Sequence, residues 1–149
     1  MILMDPDHVK WVLKDPNQIM GITSGCWDLN HFYHSQYFRR CRAYCDILVV
    51  GIDADDLVIK NKGKFPANPE YHRAWELAEK RSIDAVFIMR NLGDLQIAAK
   101  HCDMMFKNAD TIYGKPVVKP EDCELIIVPD IVEVQSTTEL KNKIVGQQN

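Results

Sequence analysis

From Thr23 to His34 the chain reads Thr-Ser-Gly-Cys-Trp-Asp-Leu-Asn-His-Phe-Tyr-His, so that a glycine turn, an acid and two histidines fall in one short stretch. These are residue types suited to holding phosphate. The apolar run Ile19–Thr23 before it predicts a buried parallel strand, and apolar and aromatic residues recurring from Phe32 to Tyr44 predict a helix. His31 and His34 therefore open that helix. Amide N–H groups at a helix start have no partner in the helix and carry partial positive charge, so an anion held there gains hydrogen bonds and a favourable dipole. Imidazoles three residues apart lie on one side of the first turn, where both can donate to one phosphate. The competing reading is that the two histidines only cap and pack the helix.

The elements that must position this stretch alternate between the two periods. Asp46–Ile52, Asp84–Met89, a short Cys102–Phe106 and Glu124–Val128 predict further strands, and Pro69–Arg81 and Leu92–His101 predict helices. Asp5 to Lys14 predicts a leading helix with Asp5 as its cap and Pro6 at its first position, ended by Asp15-Pro16-Asn17. Lys115 to Asp122 reads as a loop rich in proline and charge, and Gln135-Ser136-Thr137-Thr138-Glu139 as a helix start with hydroxyl caps. Strands alternating with helices imply right-handed crossovers and an α/β, Rossmann-like, doubly wound parallel sheet with helices on both faces. Ligands in such sheets sit beyond the carboxyl ends of the strands, where both the Gly25–His34 turn and the Ser136 cap would fall.

Composition narrows the function classes. A chain of 149 residues is expected to form one domain. Its 46% hydrophobic and 26% charged residues are those of a globular protein. A formal charge of -3 gives nucleic-acid binding no support, and the one tight basic cluster, Arg39, Arg40 and Arg42, reads as a solvated helix face. The N-terminal apolar run stops too early for a signal peptide, and no apolar stretch approaches the roughly 20 residues that span a bilayer, so a cytoplasmic protein without membrane contact is expected. Five scattered cysteines, odd in number and without a C-x-x-C pair, argue against a disulfide framework and against structural zinc.

Gly25, Asp28, His31 and His34 resemble the G-x-F-D-x-x-H-x-G-H signature of the nucleotidyltransferase superfamily of cytidylyltransferases and sugar-phosphate adenylyltransferases, with Trp27 in place of phenylalanine and Tyr33 in place of glycine. The resemblance continues. Asp53-Ala54-Asp55, Lys62-Gly63, Asn68-Pro69-Glu70 and Arg73 follow the order of the heptose-phosphate adenylyltransferase branch, which reads N-S-D, K-G, N-P-E and an arginine. That branch also has cysteine at the position of Cys26. Ser136-Thr137-Thr138 is similar to its closing S-T-T, and Phe106-Lys107-Asn108-Ala109-Asp110 to its V-K-G-G-D, with both glycines replaced.

The resemblance implies one nucleotidyltransferase domain over residues 1–149, with residues 1–18 as an N-terminal helical extension. It implies displacement at the α-phosphorus of a nucleoside triphosphate by the phosphate of a small acceptor, with magnesium bridging phosphate oxygens and no metal ligands assigned among the side chains. His31, His34 and Lys62 would be catalytic. Gly25, Cys26, Trp27, Asp28, Ser136, Thr137 and Thr138 would meet the nucleotide. Asp55, Arg73, Lys107 and Asp110 would meet the acceptor. Lys62 beside a glycine can reach non-bridging oxygens in the transition state, or can be a solvated lysine; Arg73 is a phosphate contact or a surface ion pair. Three functions stay open: an adenylyltransferase for a sugar phosphate, a cytidylyltransferase for a polyol or amino-alcohol phosphate, and a weakened nucleotide-binding protein. That last reading is motivated by Tyr33, Asn108 and Ala109. Self-association into a homo-oligomer is left open.

Overall fold

The computed structural model describes residues 1–12, 15–109, 117–129 and 144–145. Six strands, β1 (Ile2–Leu3), β2 (Met20–Gly25), β3 (Ile47–Asp53), β4 (Ala85–Met89), β5 (Met104–Asn108) and β6 (Glu124–Val128), form one sheet in the order β1-β4-β3-β2-β5-β6. Every pairing is parallel. Four helices are described, α1 (Phe32–Arg42), α2 (Asp55–Lys62), α3 (Glu70–Ala78) and α4 (Leu92–Ala99), preceded by a 3-10 helix at Pro6–Trp11. The doubly wound α/β architecture expected from the alternating pattern is the one observed.

The sheet is buried on both faces, which is why its strands read as continuous apolar runs. Alternation along β3 sends Ile47 and Val49 to one face and Leu48, Val50 and Ile52 to the other. On the first face Met20, Ile22, Val49, Phe87 and Met105 pack under Val9 of the 3-10 helix, Leu57 of α2 and Leu95, Ala98 and Ala99 of α4. On the second, Val50, Ile52, Val86 and Phe106 pack under Phe38 and Cys41 of α1 and Ala74 and Leu77 of α3. An aspartate stands just before each of three strands and ties in the start of a neighbour. Asp46, Asp84 and Asp103 accept from the backbone amides of Ile19, Leu48 and Met20, each at 2.8 Å.

Three elements differ from the sequence expectation. β1 is only two residues long and joins the edge of the sheet beside β4, helped by the Val86 amide donating to the Met1 carbonyl at 2.9 Å. α2 replaces an irregular stretch. Its Leu57-Val58-Ile59 run has strand-like composition and its N-cap, Ala54, offers no side-chain acceptor; Glu70 instead accepts from the Asp55 amide at 3.1 Å. Gly63 ends α2 in the left-handed region at φ 75°, a conformation glycine adopts without steric cost. The leading helix forms with Asp5 as its cap, accepting from the Asp7 amide at 2.8 Å, but it is a 3-10 helix ending at Trp11. Arg42 pairs with Asp84 at 2.9 Å and Arg40 donates to the Pro129 carbonyl at 3.0 Å.

Candidate active site

The chain winds from β2 to β3 to β4 on one side, and β5 then pairs with the other edge of β2, so the winding reverses between β2 and β5. Open parallel sheets take ligands outside the carboxyl ends of strands at such a point. Gly25 is the last residue of β2, and the chain from Cys26 to His31 crosses this edge before α1 begins.

Three side chains hold that crossing. Trp27 folds back so closely that a Cβ built on Gly25 would lie 3.0 Å from its ring, which explains glycine there. Its indole N–H donates to the Gly51 carbonyl at 3.1 Å, and its ring packs on Tyr37 and Phe38. The Asp28 carboxylate accepts from the amides of Ala67 and Asn68 at 2.7 and 3.0 Å, joining the first motif to the Asn68-Pro69-Glu70 motif. Arg73, on α3 with its side chain fully buried, donates to the carbonyls of Cys26 at 2.8 Å, Asp53 at 2.6 Å and Asn68 at 2.9 Å, and to the Asp55 carboxylate at 2.7 Å. Trp27 and Leu29 have φ of 54° and 46°. Left-handed backbone in residues with a Cβ costs on the order of 1–2 kcal/mol each, and these anchors must hold it in place.

His31 is the N-cap of α1, and its Nδ1 accepts from the Tyr33 amide at 3.3 Å. The bond leaves the ring proton on Nε2. The His31 and His34 rings stack with centroids 4.0 Å apart and planes 21° from parallel, and His34 also meets the Trp27 ring edge-on. His31 Nε2 and His34 Nδ1 are buried without a hydrogen-bond partner among the described residues, as are both amide atoms of Asn30. Buried polar atoms are nearly always satisfied, which makes these atoms candidates to bond a ligand. Burial lowers the His34 pKa to about 4, aided by His31 and by Lys80, and burial lowers that of His31. Both rings are neutral at pH 7. Tyr33 does not break α1; its ring stands edge-on to His31 with centroids 6.0 Å apart.

Lys62 is the exposed last residue of α2, a helix end rather than a loop, and its charge acts on Cys26 and Asp53. The Cys26 thiol is pushed up by burial. Asp55 is paired with Arg73. Lys107, in β5 at the switch point, donates to Ser24 Oγ at 3.4 Å. Thus Gly25, Cys26, Trp27, Asp28, His31, His34, Asp55, Lys62, Arg73 and Lys107 gather along the carboxyl edge of the sheet and the elements that follow it. Asp110, Ser136, Thr137 and Thr138 lie outside the described residues. Sequence reasoning gave no role to Ser24, Asn30 and Asp53, although all three lie inside the motif stretches it singled out. It also missed Lys80, which donates to Ser35 Oγ at 2.8 Å beside His34.

Among the described residues no three His, Cys, Asp or Glu side chains gather as a metal cluster, and no helix is long and apolar enough to cross a membrane.

The sequence matches the profile of the cytidylyltransferase-like family over residues 22–145. It is 37% identical over 125 residues to a bifunctional protein HldE of Hyphomonas neptunium, an alignment covering 80% of this chain and 26% of that protein. It is 32% identical over 147 residues to the HldE of a Nitratiruptor species, covering 95% of this chain and 32% of the relative. The chain thus spans about a quarter to a third of the length of these curated relatives. In fold it is similar to a lipopolysaccharide core biosynthesis protein of Thermoplasma volcanium, with a TM-score of 0.59 at 20% identity, covering 89% of this chain and 90% of that one. It is also similar to the pantothenate synthetase of Thermus thermophilus, with a TM-score of 0.56 at 10% identity, covering 99% and 76%.

Proposed function

Because the chain belongs to the cytidylyltransferase-like family of nucleotidyltransferase enzymes, we propose that it transfers AMP from ATP to a sugar-phosphate-type acceptor, heptose phosphate being the first to try, with release of pyrophosphate. The observation that carries this reading is the stacked His31–His34 pair. Among the described residues His31 Nε2 and His34 Nδ1 are buried without a partner, and the pair sits on a helix start at the switch point. Two neutral imidazoles and the free amides of the first turn offer donors to phosphate oxygens without the cost of burying two cations.

In the step we propose, an oxygen of the acceptor's phosphate attacks the α-phosphorus in line, and the bond from the α-phosphorus to its bridging oxygen breaks. Pyrophosphate leaves with that electron pair. No side chain becomes covalently attached. His31 and His34 donate to the α- and β-phosphates, and Lys62 reaches the charge that grows on non-bridging oxygens. Arg73 and Asp28 position: they hold the carbonyls and amides that shape the crossing. Ser136, Thr137 and Thr138 are assigned to the leaving pyrophosphate, and Asp110 to the acceptor. Magnesium keeps several waters and binds through phosphates with few protein oxygens, which fits a site with no gathered metal cluster among the described residues. When bound it would neutralise charge between phosphates. The reaction is assigned to the cytoplasm, a compartment in which cysteines remain thiols like the five free ones here.

The test is a screen of four nucleoside triphosphates against sugar and polyol phosphates with magnesium, read by pyrophosphate release. ATP with a sugar phosphate is the expected pair. CTP with a polyol phosphate would assign the cytidylyltransferase reading instead, and a folded protein that binds no nucleotide at millimolar concentration would overturn both.

A further inference from the structure

One group at the switch point has no part in the chemistry above. Ser24 of β2 is in register with Gly51 of β3, and Asp53 lies two residues beyond Gly51. Side chains two apart on a strand share a face, as do residues paired across parallel strands, so Asp53 and Ser24 point to one side of the sheet. Lys107, two residues after the core residue Met105, joins them there through its bond to Ser24 Oγ. This is the face covered by α2 and α4, opposite the one covered by α1, which carries the histidines.

Asp53 and Lys107 face each other's fields without forming an ion pair. The backbone carbonyl of Asp53 is held by Arg73, yet its carboxylate accepts no hydrogen bond among the described residues. Burial raises the Asp53 carboxyl, countered by Lys62, Arg73 and Lys107; burial lowers the Lys107 ammonium, countered by Asp53. A partly buried carboxylate without a donor gains most from a neutral one, because a second anion there would be repelled and a cation is already near.

We propose that Asp53 is a specificity-determining residue that accepts a hydrogen bond from a hydroxyl of the acceptor, carried on the carbon next to the one bearing the phosphate that Lys107 binds. The proposal rests on the transfer reading for the identity of the phosphate on Lys107. It explains why opposite charges stand apart at this point: a vicinal hydroxyl and phosphate present a donor and an anion side by side, and the gap takes both. Acceptors with a carboxylate at that carbon would be rejected.

The test measures binding by the full chain of α-D-mannose 1-phosphate and its 2-deoxy analogue, by NMR chemical-shift titration without triphosphate. In the parent, loss of the hydroxyl should weaken binding about 10- to 100-fold, the range of a hydrogen bond to a charged group. Asp53→Ala should bring the two probes to within about threefold, whereas Lys107→Met should weaken both by about tenfold or more and keep their ratio. If Asp53→Ala does not fold, Asp53→Asn serves, with discrimination expected to fall by about threefold or more because a neutral acceptor bonds more weakly. Equal weakening of both probes by the Asp53 change overturns the proposal, as does a parent that binds neither or binds both alike. A parent that discriminates between them yet releases no pyrophosphate with any triphosphate would instead overturn the transfer reading and leave this subsite in place.

Discussion

Replacing Arg73 by methionine keeps the length and apolar stem of the side chain and removes the guanidinium, and the structure sets what that should cost. Four acceptors lose a charged donor: the carbonyls of Cys26, Asp53 and Asn68, and the Asp55 carboxylate. Hydrogen bonds to charged groups contribute roughly 1.5–3 kcal/mol each, but Arg73 loses hydration on burial, so the sum is not the net effect. Asp55 keeps a side-chain exposure of 26% and can turn to water. The orphaned carbonyls at the crossing have less freedom. Breaking one side of a buried pair typically costs about 3–5 kcal/mol. For a chain of this size each kcal/mol moves the melting temperature by about 2–4 °C, so Arg73→Met should melt roughly 6–20 °C below the parent. Arg73→Lys should recover little, because an ammonium cannot reach four acceptors that a planar fork meets. Thermal denaturation followed by circular dichroism, with urea titration at 25 °C, measures both variants. A melting temperature within about 3 °C of the parent, with triphosphate binding lost, would refute the positioning role and make Arg73 a ligand contact.

His31→Ala and His34→Ala should each lower turnover roughly a hundredfold or more, the scale of losing a transition-state donor; steady-state pyrophosphate release checks this, and near-parental turnover in either removes that histidine from the mechanism. Lys62→Ala should depress kcat more than triphosphate affinity, since an exposed helix-end lysine can tighten on the transition state; equal losses would make it a general phosphate contact. Because burial holds His34 at about 4 in the fold against 6.5 in the open chain, the unfolded state binds the extra proton between those values. Stability should therefore be full above pH 6.5 and fall as pH drops towards 4, by roughly 2–3 kcal/mol from this group. Urea denaturation of the parent and His34→Gln at pH 7 and 4.5 isolates that share, and identical losses in both would refute it.

Much of the fold was legible because buried parallel strands advertise themselves. β2 to β6 are short apolar runs, three of them with an aspartate just ahead whose carboxylate fastens a neighbouring strand. β1 and α2 were not legible, for different reasons. β1 is two residues whose strand character comes from pairing with β4, and α2 has a β-branched run and a cap supplied by Glu70 from another helix. The types of the site residues were visible in Gly25-x-x-Asp28-x-x-His31-x-x-His34, but not what they touch. Asp28 and Arg73 act on backbone amides and carbonyls, which have no signature in a residue pattern. Asp53 and Ser24 come beside Lys107 only because β2 lies between β3 and β5, a matter of strand order.

The arrangement also sets where cationic charge is in short supply. Arg73 is fully engaged by the protein, and both histidines are neutral at pH 7. Among the described site residues that leaves Lys62, Lys107 and Lys80 as charges able to act on a substrate, with Asp53 offsetting part of that of Lys107. A triphosphate and an acceptor phosphate together bring far more negative charge than three lysines balance, and like charges brought within a few ångströms in a partly desolvated site repel by several kcal/mol. Donors without net charge can orient such groups but neutralise little of this. In the transfer we propose, the helix start and the imidazoles would therefore act on geometry, holding the phosphates in line. On that same proposal the balance of charge would fall to the lysines and to a divalent cation bound with the substrate.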